Sequence, residues 1–286
     1  MKRLALLLAL TTPAQALPAH AFDETKMRAA VQAEEATLSA RVGMAVRSGG
    51  GLVFDYRGDE RFPLDSTHKA FSCAALLAKA EKGETSLQRR IVVVVTDLVP
   101  YSPVVEKNTA PASMSLAEHC AAALGYSDNT AANVVMGALG GPPGVTAFFR
   151  ALGDETSRLD RMEPDLNEAA PDDPRDTTTP AAAAADLDKL LLGSALTPAS
   201  HEQLKTWMRD DRVAGPLLRK TIPDDWRIAD KTGSGGHGSR GIVAAMWPPH
   251  RDAIVVAIYM SDTPASMDAR NAAIARLGEA LMKALN

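Results

Sequence analysis

The strand-like segments of this 286-residue chain lie at its two ends, and a long helical stretch separates them. Near the start, "RVGMAVRSGGGLVFDYRG" holds two short apolar-rich runs around Gly49-Gly50-Gly51 and reads as a β-hairpin. From Trp226 onward, "WRIADKTGSG", "SRGIVAAMWP" and "DAIVVAIYMSD" read as strands, and "ASMDARNAAIARLGEALMKAL" as a closing helix. Strands need partners. The simplest assembly is an α/β (α+β) fold in which both chain ends build one antiparallel sheet flanked by helices, and the middle forms an inserted all-helical lobe. The expected division is an α/β domain from 22–60 and 213–286 and a helical domain from 61–212, with a cleft between them as the place for a site.

The helical middle opens with "RFPLDSTHKAFSCAALLAKAEKG". The spacing predicts a helix from Ser66 to Lys82, apolar on nearly every side as a buried central helix is, and capped by Gly83. Ser115 and Glu118 form a capping box before "LAEHCAAALG", Asn129 opens "TAANVVMGALGG", and "PPGVTAFFRALG" ends at Gly153. Thr179-Pro180 and Thr197-Pro198 each start a helix with proline at its first position, where the missing N–H is harmless. "IVVVV" at 91–95 is strand-like by composition but isolated among helical patterns. The segment 159–179 has three prolines and many charges. It could be a linker, yet irregular segments of this length inside a compact region are usually functional or disordered.

A net charge of −4 without a basic stripe argues against nucleic acid as a partner. Residues 1–21 read as a secretory signal: Lys2 and Arg3, a short apolar run from Leu4 to Leu10, then the small-x-small sites Ala14-Gln15-Ala16 and Ala19-His20-Ala21. That run is too short to span a bilayer, so the expected product is periplasmic or secreted, with no membrane partner. Cys73 and Cys120 would meet an oxidising compartment; a bridge and two isolated buried thiols both remain open. The six histidines are scattered, with no His-x-His or Cys-x-x-Cys spacing, so no metal is expected.

Four short motifs could carry chemistry. Ser66 and Lys69, three residues apart at a helix start, share a face where the helix N-terminus favours an alkoxide or oxyanion. Burial could lower the lysine pKa enough for it to take the serine proton. In isolation, a helix cap followed by a surface lysine explains this pair better. "YSDNTAAN", with Ser127, Asp128 and Asn129, reads alone as a turn and an N-cap. "DKTGSG" offers a cation at Lys231, a hydroxyl at Thr232 and small residues that let a ligand lie along a strand edge. "RMEPDLN" places Glu163 and Asn167 in the long irregular segment.

Together and in this order, the motifs resemble those of the class A serine β-lactamases. "RFPLDSTHK", "YSPVVEKN", "YSDNTAANVV", "EPDLNEA", "DPRDTTTP", "LLGSAL" and "IADKTGSGG" extend the resemblance from near Val42 to the last helix. "EPDLNEA" and "TPASMDARNAAI" look closest to the carbenicillin-hydrolysing group, which commonly has arginine where this chain has Lys231. His68 is unusual between the serine and the lysine and receives no role beyond packing.

The resemblance implies the serine β-lactamase/penicillin-binding-protein fold, a monomer, no cofactor, and hydrolysis of penicillins and some cephalosporins that confers antibiotic resistance. It implies that Ser66 attacks the β-lactam carbonyl, with the N–H groups of Ser66 and Ser234 as oxyanion hole. Ser127, linked to Lys69 and Lys231, would pass a proton to the departing nitrogen. Lys231, Thr232, Gly233, Ser234 and Arg240 would bind the substrate and its carboxylate, Asn129 its side-chain amide, and Tyr101 would wall the cleft. Glu163 and Asn167 would hold the deacylating water. In relatives the arginine matching Arg240 also supports clavulanate inactivation. An Arg161–Asp176 pair, a cis Glu163–Pro164 bond and a Cys73–Cys120 bridge follow from the same resemblance. If Ser66 and Ser127 converge, the cysteines seven residues from each converge as well. In one carbapenemase group the positions matching Asp65 and Gly235 are bridged cysteines; neither is cysteine here. The alternatives are a peptidoglycan D-alanyl-D-alanine peptidase, which would not need the Glu163 loop, and a sensor that stays acylated.

Overall fold

The computed structural model describes residues 22–285, so the expected signal at 1–21 lies outside the described residues. One five-stranded antiparallel sheet is built from both ends of the chain: β1 (Arg41–Ser48), β2 (Gly51–Tyr56), β3 (Arg227–Ser234), β4 (Arg240–Trp247) and β5 (Ile254–Ser261). The spatial order is β2-β1-β5-β4-β3. Gly49 and Gly50 make the hairpin turn at φ +58° and +78°, and two successive left-handed residues are what a tight two-residue turn needs. The sheet is buried on both faces. Val42, Met44, Val46, Ile242, Ala244, Val256 and Ile258 pack with α1 (Glu24–Leu38) and α8 (Met267–Ala284). The alternate residues Ala45, Val243, Val255, Ala257 and Tyr259 join the core of the helical side. The period-2 pleat thus divides β1, β3, β4 and β5 between two cores, which is why these strands read as nearly unbroken apolar runs, whereas edge strand β2 buries only Phe54.

The helical side is organised around α2 (His68–Glu81), in which every residue from His68 to Leu77 is buried. Around it lie α3 (Leu116–Gly125), α4 (Asn129–Leu139), α5 (Pro142–Ala151), α6 (Pro180–Leu191) and α7 (Pro198–Arg209). The capping box at Ser115 and Glu118 forms, and Thr179 and Thr197 cap the two proline-led helices. Gly83, at φ +72°, follows the end of α2. A Cys73–Cys120 disulfide ties α2 to α3.

Two local expectations need correction. The helix expected from Ser66 is α-helical only from His68; Asp65–Thr67 form a 3-10 turn ahead of it, so Ser66 stands at a bend. The run at 91–95 is not a strand: only Arg90–Ile91 pairs, with Met114–Ser115, and a 3-10 turn follows at Val95–Asp97. Its two-residue partner gives the run no edge to continue along. Val93 alone turns inward to a small cluster with Val105 and Met114, while Val95 is 70% exposed.

Candidate active site

The turn that carries Ser66 is held from both sides. Thr67 donates through Oγ1 to the Leu64 carbonyl (2.5 Å) and meets the Tyr259 hydroxyl of β5 at 3.0 Å. Gly233 on β3 lies against it: a Cβ there would come within 2.8 Å of Asp65 Cβ and 2.9 Å of the Ser66 amide nitrogen. β3 is an edge strand, and this glycine lets that edge reach the nucleophile's backbone. The next residue, Ser234, pairs across the sheet with Arg240.

Lys69, one turn into α2, is fully buried. Its Nζ lies 2.8 Å from Ser66 Oγ, 2.8 Å from the Ser127 carbonyl, 3.3 Å from Ser127 Oγ, 2.6 Å from Asn129 Oδ1 and 3.0 Å from Glu163 Oε1. Burial pushes the Lys69 ammonium below its ordinary range, against the opposing pull of Glu163. A lysine poised this way can exchange a proton with Ser66 or Ser127. Ser127 sits between α3 and α4 at φ +58°, a left-handed conformation that costs a non-glycine residue energy and recurs at functional sites. Asp128 fixes that turn by capping Ala131 (2.8 Å) and accepting from the Val104 and Val105 amides (2.9 and 3.0 Å).

Glu163 enters from the irregular segment with its side chain buried. Oε1 faces Lys69 and His68 Nε2 (3.2 Å), and Asn167 Nδ2 donates to Oε2. Burial alone would raise this carboxyl, but Lys69 and His68 outweigh it and hold Glu163 down at about 2. Arg161 and Asp176 pair at 2.6 Å, and Asp176 also accepts from the Asp160 and Arg161 amides (2.7 and 3.0 Å). The Glu163–Pro164 bond is cis. The Gly236 amide donates to the Asn167 carbonyl at 2.8 Å, joining this segment to the end of β3.

On the opposite wall, buried Lys231 donates to the Thr232 carbonyl (2.9 Å). Burial, offset by Asp211 and reinforced by the Lys69 and Arg240 charges, pushes it down to about 8. Arg240 donates to Asn271 Oδ1 and the Gly233 carbonyl, both at 2.9 Å, and burial pushes it down to about 10. Tyr101 is 60% exposed at the rim, where its carbonyl accepts from the Asn129 amide (2.9 Å). A Cβ on Gly235 would collide with Asp65 Oδ1, so those two positions are neighbours.

Ser66, Lys69, Ser127, Asn129, Glu163 and Asn167 therefore converge in one connected network, with Lys231, Thr232, Ser234 and Arg240 along the facing strands. Two further members do not stand out from the sequence. Asn133 exchanges two backbone bonds with Glu163, each 2.9 Å. It lies four residues beyond Asn129, so the helical period could have placed it on the same face. His68, expected only to pack, does more, and nothing in its sequence context reveals that its ring reaches a carboxylate 95 residues away.

The profile of the β-lactamase enzyme family matches residues 24–285. Beta-lactamase AER-1 of Aeromonas hydrophila is 55% identical over 265 residues, covering 92% of this chain and 87% of that protein. Beta-lactamase PSE-4 of Pseudomonas aeruginosa is 47% identical over 252 residues, covering 88% and 87%. Among solved structures, an ancestral (GNCA) class A β-lactamase matches with a TM-score of 0.88 and 50% identity, over 90% of this chain and 99% of that one. The chromosome-encoded β-lactamase of Vibrio parahaemolyticus matches with a TM-score of 0.87 and 40% identity, over 90% and 98%.

Proposed function

This chain belongs to the β-lactamase enzyme family, as a class A serine enzyme near the carbenicillin-hydrolysing group, and from that membership we propose how its residues divide the reaction. It is a β-lactamase that hydrolyses the β-lactam amide and so confers antibiotic resistance; a peptidase or sensor role is not favoured. The observation that carries the residue assignment is the Lys69 ammonium, shared at 3.3 Å or less among Ser66, Ser127, Asn129 and Glu163.

Ser66 Oγ attacks the lactam carbonyl, and its proton passes into the Lys69–Glu163 pair. The Ser66 and Ser234 amides stabilise the oxyanion that forms. The C–N bond then breaks, and Ser127 delivers a proton to the ring nitrogen from Lys69. Lys231, Thr232, Gly233, Ser234 and Arg240 hold the substrate carboxylate, Asn129 meets the side-chain amide, and Tyr101 bounds the cleft. Glu163, ionised well below neutral pH, takes a proton from a water beside Asn167, and that water attacks the ester. The C–Oγ bond breaks as Ser66 recovers its proton.

We propose that the chain divides into 22–60 with 213–286 and 61–212; the lining of the site by residues of both parts supports this division. We further propose that the enzyme works as an exported monomer with no nucleic-acid or membrane partner. The net charge of −4 supports this, and no helix among the described residues is long and apolar enough to cross a membrane. Good penicillinase activity and weaker cephalosporinase activity are expected, and carbapenem hydrolysis should be poor because Asp65 and Gly235 offer no cysteine pair beside the site. The test is to mix the protein and Ser66→Ala with a chromogenic cephalosporin and with benzylpenicillin. Many turnovers by the parent, and neither turnover nor a penicilloyl adduct on the variant, are expected. A normal adduct on Ser66→Ala contradicts the assignment.

A further inference from the structure

His68 is fully buried in the first turn of α2, and both ring nitrogens have partners. Nε2 lies 3.2 Å from Glu163 Oε1, and Nδ1 lies 3.1 Å from Ser72 Oγ. An ionised carboxylate can only accept, so Nε2 carries the proton. Nδ1 is then bare and accepts from the Ser72 hydroxyl, which is free to donate. Glu163 thus sets the tautomer, and the Ser72 hydroxyl, able to donate as well as accept, complements it and holds the ring in place. This ring is a directed donor, a relationship that packing alone does not require.

We propose that His68 is a positioning residue for deacylation: through Nε2–H it holds Glu163 Oε1 in the ionised, aimed state and leaves Oε2 to take the proton of the hydrolytic water. The inference rests on Glu163 being the deacylating base. Oε1 has two donors, His68 and Lys69, while Oε2 faces Asn167. The Lys69 contact is shared with Ser66, Ser127 and Asn129, and acylation alters it because Ser66 Oγ becomes an ester oxygen. The other end of His68 rests on Ser72, which takes no part in the reaction. His68 is thus the donor on Oε1 whose own bonding does not change between the free and acylated enzyme.

The groups that set its charge are Lys69 on the same helix and Glu163 and Asp176 in the irregular segment. Burial dominates and holds the imidazole below its ordinary range, against Glu163 and Asp176 and with Lys69. A neutral donor at pH 7 is the result. Removing it deprives the charged carboxylate of a hydrogen bond, so protonation of Glu163 moves to higher pH.

The experiment follows decay of the penicilloyl enzyme by intact-mass spectrometry across pH for the parent, His68→Phe, His68→Gln, Ser72→Ala and Glu163→Ala. His68→Phe is expected to decay about tenfold more slowly at pH 7, with its acid limb raised by about one pH unit. His68→Gln, which keeps an N–H near the Nε2 position, should recover most of the rate. Ser72→Ala, which removes the second hydrogen bond that orients the ring without emptying the position, should show a smaller slowing of the same sign. Decay of His68→Phe within twofold of the parent with an unmoved acid limb overturns the proposal. So does a His68→Gln variant as slow as the phenylalanine one. Should His68→Phe fail to fold, an unslowed Ser72→Ala overturns it equally. Parent-like decay of Glu163→Ala is a different result, because it removes the underlying reading of Glu163.

Discussion

Glu163 and Asp65 are both buried carboxylates beside Ser66, one on the side of the irregular segment and one on the side of β3, and their surroundings drive them in opposite directions. Burial raises both. Around Glu163 it is outweighed by Lys69 and His68, and the group stays ionised down to about pH 2. Both oxygens of Asp65 lack a hydrogen-bond partner, and so does the nearby Ser239 Oγ. Burial therefore prevails there and pushes Asp65 up to about 7, with Glu163 adding to the rise and the Arg240 charge opposing it. Depth alone does not keep a carboxyl ionised. Donors supplied at bonding distance do, and only the Glu163 side supplies them.

The largest expected effect concerns the scaffold on which the Glu163 side depends. Lys69 opens α2 and Ser127 follows α3, and the Cys73–Cys120 bridge between those helices closes a loop of 47 residues. Replacing both cysteines by alanine should lower stability by about 4 kcal/mol on the chain-entropy account. Urea unfolding of oxidised protein is the check, and an unchanged midpoint would show that packing alone holds the two helices.

On the β3 side, Arg240→Ser should remove the charge-assisted contact proposed for the substrate carboxylate, worth about 1.5–3 kcal/mol. Clavulanate inactivation should weaken roughly ten- to a hundredfold. Undiminished sensitivity would mean that Arg240, held by Asn271 and the Gly233 carbonyl, serves only the sheet.

A further effect, spread over several pH units, sharpens the contrast. The folded pKa of Asp65 lies above its ordinary value of 3.8, at about 7, so the folded state holds the proton more tightly. Between about pH 4 and 7 this group takes stability away as pH rises, by at most about 1.4 kcal/mol per unit. Asp65→Asn should therefore gain stability relative to the parent across that window. Glu163 has the opposite sign. Its folded pKa lies below the ordinary 4.5, so its contribution is present above that value and is lost as pH falls toward about 2. Unfolding midpoints over a pH series separate the two slopes, and parallel curves for Asp65→Asn and the parent would remove the distinction.

Much of this was legible in the sequence because it depends on local periodicity and fixed motifs. The glycine hairpin, the threonine caps with proline behind them, and the largely apolar α2 follow from neighbours within a turn or two. Ser66, Lys69, Ser127 and Lys231 were legible as residue types at set spacings, and their convergence was implied by resemblance. What was hidden depends on contacts across the chain. His68 meets Glu163 only once α2 and the irregular segment dock, and Asp65 becomes unusual only when β3 closes over it. The run at 91–95 misled for the same reason: composition favours a strand, but a strand also needs an edge, and the fold offers two residues of one.

The central claim is that donors, not burial, make Glu163 rather than Asp65 the deacylating base. It is tested most directly by mixing Glu163→Ala and Asp65→Asn with benzylpenicillin and following the penicilloyl adduct by intact mass. The adduct is expected to persist on Glu163→Ala, with decay slowed by about 10²–10⁴-fold, as for loss of a positioned general base. On Asp65→Asn it should clear within about tenfold of the parent rate, since that carboxyl offers no oriented proton acceptor. Rapid clearance from Glu163→Ala, or an adduct trapped on Asp65→Asn instead, would contradict it.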